Sequence, residues 1–309
     1  MKIAVLYGGT SGEREVSIST GKGIMNALKA NGHEVIGIDF NPKQLIEILD
    51  LEADLVFLGL HGKLGEDGKI QSLLEMLNIP YVGSGVLASA LAMDKSKAKK
   101  LFLQNDIPTP DSRTYSLVEK EHFEHLKDKV LAEFDLPFVV KPNQEGSTLG
   151  LTIVKQQEEL DQALEEAFKH DDEIIVEDYI KGREMTIGVW GEKGKETALP
   201  VIEIIPKNEY YDYESKYAPG GSEHIVPANI SMELTKQLQD YAIQAHQVLG
   251  CSVYSRVDFI VTEQDIPYIL EVNTLPGMTP TSLFPDAARA IGLSYEEMIE
   301  KIVHLSLKK

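Results

Sequence analysis

Residues 254–279 read YSRVDFIVTEQDIPYILEVNTLPGMT. Two strand-like runs, 255–262 and 267–272, flank a polar turn, Glu263-Gln264-Asp265-Ile266. Side chains two apart on a strand point the same way. A hairpin closed by that four-residue turn therefore sets Asp258 opposite Glu271 and Arg256 opposite Asn273, all on one face. Val257, Phe259, Val261, Leu270 and Val272 are expected on the other. Two directly opposed carboxylates repel, so one must protonate unless a cation intervenes. Asp258, Glu271 and the amide oxygen of Asn273 are hard oxygen donors suited to Mg²⁺, which keeps positions for phosphate oxygens and water. The alternative is that Arg256 or a lysine neutralises the pair on a solvated face. The adjoining Asn273 and the Pro276-Gly277 loop favour the metal.

Working outward, the first ~95 residues alternate strand and helix signals. Strands are expected at 3–7, 35–39, 55–60 and 80–82, and helices at 16–30, 44–50 and 70–77. This alternation implies an α/β fold with a mostly parallel sheet and helices on both faces. Three of the strands run into glycine-bearing turns, Gly8-Gly9, His61-Gly62 and Gly83-Ser84-Gly85, at the ends where open α/β sheets place ligands. A second region holds a helix at 95–104, a joint at Ile107-Pro108-Thr109-Pro110, a helix at 119–134, and strands at 138–141, 151–154 and 174–177. A Gly/Ser loop at 145–150 and a helix at 158–170 separate the last three. The third region is α+β. It has strands near 184–190 and 198–205, a Tyr-rich loop at 210–221, a helix at 232–249, the hairpin, a Pro/Gly loop at 275–285 and a helix at 295–307.

A formal charge of −19, from 30 Lys+Arg against 49 Asp+Glu, disfavours nucleic acid and anionic membranes as partners. An acidic chain that binds phosphate must gather its basic groups locally or recruit a cation. The one cysteine, Cys251, rules out an intrachain disulfide and a cysteine zinc site, which suits a reducing cytoplasm. The apolar run 3–7 is too short for a leader, and no run nears the ~20 residues of a membrane span.

Phosphate motifs are less decisive. Gly62–Lys69 has the wrong spacing for a Walker A loop, with Ile70 where Ser or Thr is needed. Gly83-Ser84-Gly85-Val86-Leu87-Ala88 fits the G-x-G-x-x-A variant of the dinucleotide fingerprint, but no acidic residue closes a second strand ~20 residues on. The loop 145–150 can aim backbone N–H groups at phosphates, and Lys141, at the end of an apolar strand, can reach the same place. A plain hairpin turn with a solvated lysine reads equally well from that segment alone.

Together these segments resemble the D-alanine–D-alanine ligase family of the ATP-grasp superfamily. The resemblance is carried by Gly8-Gly9-Thr10-Ser11-Gly12-Glu13-Arg14-Glu15-Val16-Ser17, by 61–68 (HGKLGEDG), by Val140-Lys141-Pro142 with Glu145-Gly146-Ser147, and by 211–217 (YDYESKY). It is completed by Arg256-Val257-Asp258-Phe259 and by 271–279 with Ser282-Leu283 after it. It runs almost the whole chain in the family's order. Lys63, where threonine is frequent and near His61, and Thr281, where histidine is common, depart from the pattern.

The resemblance implies an N-terminal pre-ATP-grasp substrate domain (1–95), a central ATP-grasp lobe (96–180) and a C-terminal lobe with the metal and substrate site (181–309). It implies ligation of two D-alanines through an acyl phosphate, with ATP as substrate and two Mg²⁺ (or Mn²⁺), in a cytoplasmic homodimer. Glu13 would hold the first D-alanine's ammonium, networked to Ser147 and Tyr217. Val16, His61 and Leu283 would line the substrate site. Lys95, Lys141 and Lys216 would contact phosphates, with Lys216 and Ser282 near the second substrate's carboxylate. Glu177 and Ile180 would frame the adenine and Glu184 the ribose. Arg256 and the Gly277 N–H would form the oxyanion site, and Asp258, Glu271 and Asn273 would bind the metals. Sister ligases of the family make D-alanyl-D-lactate or D-alanyl-D-serine; phenylalanine in place of Tyr217 goes with lactate acceptance, so the tyrosine favours the dipeptide.

Overall fold

The computed structural model describes residues 1–120, 123–207 and 221–309. Its first layer is a parallel sheet in the order β2 (Glu34–Phe40), β1 (Lys2–Gly8), β3 (Leu55–Leu58). β1 is buried along most of its length, as a parallel strand covered on both faces must be. Helices α1 (Arg14–Ala30), the single turn α2 (Ile46–Leu49), α3 (Lys69–Met76) and α4 (Val86–Met93) connect it onward. The expected fourth strand at 80–82 is reduced to one parallel bridge, Val56 to Tyr81. Pro80 cannot donate to a ladder, and Gly83 follows at φ +93°.

Helix α5 (Lys95–Gln104) is capped by Asp94, whose carboxylate accepts the Lys97 N–H at 3.0 Å. The joint that follows is tied down: Ile269 N donates to Pro108 O (2.8 Å) and Thr109 Oγ1 to Ile269 O (2.8 Å). The second sheet is antiparallel, in the order β4 (Ser112–Ser116), β7 (Glu173–Asp178), β5 (Phe138–Pro142), β6 (Thr152–Val154). The helices α6 (Leu117–Lys120), α7 (Phe123–Glu133) and α8 (Leu160–Phe168) belong to this unit, and the inner faces of α7 and α8 pack on the sheet in one apolar cluster.

The third sheet runs β11 (Ser222–Ile225), β10 (Ile202–Pro206), β8 (Arg183–Gly191), β12 (Val253–Val261), β13 (Pro267–Asn273), with β9 (Thr197–Ala198) on β8. The single strand expected at 198–205 is split because Leu199 N turns to Gly188 O and Pro200 breaks the ladder. Helix α9 (Met232–Val248) covers one face of this sheet together with α4 and α5. The expected loop 275–285 ends early, in α10 (Leu283–Ala290), and α11 (Tyr295–Ser306) closes the described fold. These two helices pack in one apolar cluster with β1–β3, Trp190 and Tyr254. Phe284 stacks edge-on against both rings, at 5.9 and 5.6 Å.

Gly68 starts α3 at φ +87°, and a Cβ there would lie 2.7 Å from the Val86 carbonyl oxygen. Neither the dihedral nor the backbone contact tolerates a side chain, so Gly68→Ala is expected to cost about 2–4 kcal/mol. Urea unfolding measures it; a loss under 1 kcal/mol would contradict this account of the turn.

Candidate functional site

The hairpin delivers the expected pairing by an unexpected route. Asp265 adopts φ +59° and the turn closes over three residues rather than four, pairing Val261 with Pro267. That register alone would set Asp258 against Leu270. A bulge between Asp258 and Phe259 shifts it back, so Asp258 pairs with Glu271 and Arg256 with Asn273. The bulge also corrects one expectation: Ile269, not Leu270, is in the core, fully buried, while Leu270 turns to a cavity wall. Re-aiming a side chain beside a site is a usual consequence of a bulge.

Two cavities adjoin here. A narrow one of about 170 Å³ lies between the second and third sheets, with Lys95, Lys141, Glu177, Ile180, Glu184 and Asp258 in its walls. A wider one of about 550 Å³ is bounded by Glu13, Val16, His61, Ser147, Arg256 and Asn273, and by Gly277, Ser282 and Leu283. Gly146 and Glu271 line both. Each site residue named from the sequence thus stands at one cavity or the other, except Lys216 and Tyr217. Those two, with the rest of the Tyr-rich loop up to Gly220, lie outside the described residues.

In the wide cavity, Ser147 Oγ donates to the Glu13 carboxylate, which is buried ahead of α1. Ser147 and Thr148 hold φ +52° and +59°, a strained backbone of the kind found at functional loops. Gly146 lets the loop approach, because a Cβ there would lie 3.0 Å from Glu13 Oε2. His61 Nδ1 donates to Leu275 O (3.1 Å) and Nε2 accepts from Thr20 Oγ1 (3.0 Å). Burial pushes its pKa below the usual range, so the imidazole is neutral and polar on both edges. Glu66, partly buried in the wall, accepts Gly62 N–H at 2.7 Å; burial and then Glu13 push its carboxyl upward. Ser282 Oγ accepts Thr279 N–H (3.0 Å) and lies 2.7 Å from Thr279 Oγ1, directly beneath the Gly277 Cα hydrogens. Lys63 is not at His61. It crosses to the second sheet's unit, donating to His170 O (2.9 Å) and pairing with Glu145.

At the junction, Asp258 accepts from Arg256 Nε (2.8 Å) and Nη2 (2.7 Å), Thr186 Oγ1 (2.6 Å) and Asn273 Nδ2 (3.1 Å). Lys95 Nζ lies 3.3 Å from Glu271 Oε2 and donates to Glu145 O at 2.6 Å. Cations therefore do balance the opposed carboxylates, as the alternative reading held. The oxygen set nonetheless fits a divalent ion. Asn273 turns its nitrogen to the two carboxylates, which leaves Oδ1 for a cation. Among the described residues no group of three or more His, Cys, Asp or Glu gathers, so a six-coordinate ion here would draw its other ligands from phosphate and water.

In the narrow cavity Lys141 is paired with Glu177, and Lys99 Nζ lies 2.8 Å from the other oxygen of the same carboxylate. Burial works to raise the Glu177 pKa, but the two ammonium groups outweigh it and bring it down to about 2. A carboxyl depressed in the folded state stabilises above its unfolded pKa, and that stability is lost as pH falls toward the folded value. Wild-type protein should lose about 1.5 kcal/mol between pH 4.5 and 3 that Glu177→Gln does not lose. Urea titrations at pH 4.5 and 3 test this; parallel losses in both proteins would refute it.

Lys99, Thr186 and Glu66 escaped the sequence reading. Lys99 had a signal, since it lies one turn beyond Lys95 on the same helix face. Thr186 needed the β8–β12 register, which sets it opposite Asp258. The glycine turn at 83–85 is packed, with Ser84 Oγ accepting Ser252 N–H at 3.1 Å, and lines neither cavity.

Comparison with known proteins follows the same line. Family models for the D-ala D-ala ligase C-terminus and N-terminus match residues 101–304 and 44–84. The chain is 63% identical to a D-alanine–D-alanine ligase of Halalkalibacterium halodurans, each covered in full. It is 46% identical to one from Carboxydothermus hydrogenoformans, over 100% of this chain and 99% of that one. Among solved structures it is similar to the Bacillus anthracis D-alanine–D-alanine ligase complexed with ATP (TM-score 0.84, 39% identity, 100% and 98% covered). The VanG D-Ala:D-Ser ligase from Enterococcus faecalis is also similar (TM-score 0.84, 34% identity, 99% of each covered).

Proposed function

The chain belongs to the D-alanine–D-alanine ligase family, and on that premise we propose how its residues divide the work. It is an ATP-dependent ligase that joins two D-alanines, a precursor step for peptidoglycan. The observation that carries the assignment of roles is that the narrow and wide cavities meet at Glu271 and Gly146. A nucleotide in the first would point its terminal phosphate at amino acids in the second.

In this reading the γ-phosphoryl group passes to the carboxylate of the first D-alanine, giving an acyl phosphate. The amine of the second D-alanine attacks that carbonyl, and inorganic phosphate leaves as the peptide bond forms. Both steps build negative charge on oxygen, so positioning and cations dominate. Lys95, Lys141 and Lys216 hold phosphates; Ile180 and the strand end at Glu177 frame the adenine, and Glu184 the ribose. Glu13, kept in place by Ser147 and networked to Tyr217, receives the first ammonium, with Val16 and His61 beside it. Arg256 and the Gly277 N–H take the oxyanion, and Ser282 with Lys216 and Leu283 bounds the second substrate. Asp258, Glu271 and Asn273 would hold two Mg²⁺, which neutralise phosphate charge when bound. We further propose the division of the chain at about residues 95 and 180, a homodimer, and a cytoplasmic location where ATP is available. Among the described residues no helix is long and apolar enough to cross a membrane.

Phosphate release from ATP, measured with D-alanine, L-alanine and D-lactate in turn, tests the substrate. D-alanine should drive turnover and yield D-alanyl-D-alanine by mass spectrometry. Turnover with another amino acid but none with D-alanine would reject the reading. The sister-ligase alternative predicts D-lactate or D-serine in the product from mixed acceptors.

A further inference from the structure

Lys99 is 2% exposed and lies behind Lys141, away from both cavities. Its Nζ is 2.8 Å from Glu177 Oε2, an ion pair without hydrogen-bond alignment. It also donates to Thr109 Oγ1 at 2.8 Å and to Pro110 O at 3.2 Å. Thr109 Oγ1 in turn donates to Ile269 O, at 2.8 Å, on the strand that carries the Leu270 bulge and Glu271. Glu177 Oε1 accepts from Lys141. One buried carboxylate is thus shared by two buried ammonium groups. These three side chains sum to a formal charge of plus one inside a chain of −19, with Asp111 and Asp178 the next charges around Lys99. Uncompensated charge under a protein surface is costly unless a counter-charge arrives, and Lys141 is the cationic member that borders the cavity.

We propose that Lys99 is a positioning residue of the nucleotide site: by sharing the Glu177 carboxylate it keeps Lys141 from being neutralised, so the excess positive charge faces an arriving phosphate. This rests on the reading of Lys141 as a phosphate ligand. With a single lysine, the Lys141–Glu177 pair would be neutral and its field at the cavity would largely cancel. With two, Glu177 is saturated and Lys141 remains an attractor in a low-dielectric wall. Burial lowers the Lys99 pKa, opposed by Glu177, to about 8, so Lys99 is mostly charged at neutral pH. Thr109 has its direction set, accepting from Lys99 and donating to the hairpin strand, which fixes the Lys99 ammonium relative to the junction.

The test is calorimetric titration of the full-length chain with ADP and with adenosine, at constant Mg²⁺, because the ratio of the two affinities isolates the phosphates from the adenine contacts. In Lys99→Met the ratio should fall about tenfold. In Lys99→Met/Glu177→Gln the same net charge is restored, and the ratio should return to within about threefold of wild type. A merely structural lysine predicts instead an unchanged ratio in the single variant, or a double variant at least as impaired as the single; either result overturns the proposal. Lys141→Met separates the premise from the inference. If it leaves the ratio unchanged, the phosphate role of Lys141 fails and this proposal with it. If it lowers the ratio while Lys99→Met does not, only the role of Lys99 falls. Should Lys99→Met not fold, the double variant decides alone: a ratio near wild type supports the proposal, and a tenfold loss overturns it.

Discussion

Glu271→Gln is expected to lower kcat by on the order of 10³-fold while leaving the fold intact. The substitution keeps size and shape and removes one negative charge at the point where both cavities meet. Its structural cost is small. Glu271 is one-fifth exposed, its contact to Lys95 is 3.3 Å long, and the buried Lys95 ammonium keeps its 2.6 Å bond to the Glu145 carbonyl. The catalytic cost is large, because only Asp258 and Asn273 remain to hold a divalent ion and the phosphoryl group loses its counter-charge. Steady-state turnover with D-alanine, paired with a thermal melt, separates the two. Activity within tenfold of wild type, in a protein with an unchanged melting point, would contradict the metal role.

Arg256→Lys is expected to lower kcat by about 10²-fold, the range seen when one preorganised oxyanion donor is removed. The positive charge survives but the fork does not. In the native site Nε and Nη2 both reach Asp258, at 2.8 and 2.7 Å, which locks the plane of the guanidinium. An ammonium on a flexible stem cannot hold that geometry. Asp258 keeps Thr186 and Asn273 as donors, so the fold should persist. KM for ATP should change much less than kcat, since this side chain lines the wide cavity and not the narrow one. A loss confined to KM for ATP would place Arg256 elsewhere in the mechanism.

Much of the fold was legible because it is written in local periodicity. The β1, α1, α5 and α9 segments and strands β5, β6 and β7 of the second sheet stand close to where apolar spacing, caps and glycines set them, while β4 (Ser112–Ser116) was not expected. The failures share one cause, which is that long-range contact decided them. Whether 80–82 pairs as a strand depends on Pro80 and on a neighbour some twenty-five residues away. The loop before α10 looked open because the 275–285 stretch is rich in proline and polar residues; the helix forms where Phe284 finds Trp190 and Tyr254. That α10 and α11 join the core of the first sheet is invisible to any reading by consecutive segments.

The site was legible to a similar depth. Asp258 opposite Glu271 followed from alternation, yet it is correct only because a three-residue turn and a bulge offset each other. The bulge had no mark in the sequence that separates Leu270 from Ile269, since both are apolar and only packing chooses between them. Lys99 shows the complementary limit. Its place one turn beyond Lys95 is a hint, but its burial against Glu177 is set by a strand seventy-eight residues further on. The resemblance to the family supplied the roles of Glu13, Ser147 and Gly277, and the geometry then brought Glu13 and Ser147 into contact.

The most direct test is anomalous scattering from a crystal grown with ADP and Mn²⁺. The account predicts manganese peaks at the carboxylate oxygens of Asp258 and Glu271, at Asn273 Oδ1 and beside a phosphate oxygen. Bound ADP with manganese absent from those oxygens would contradict it.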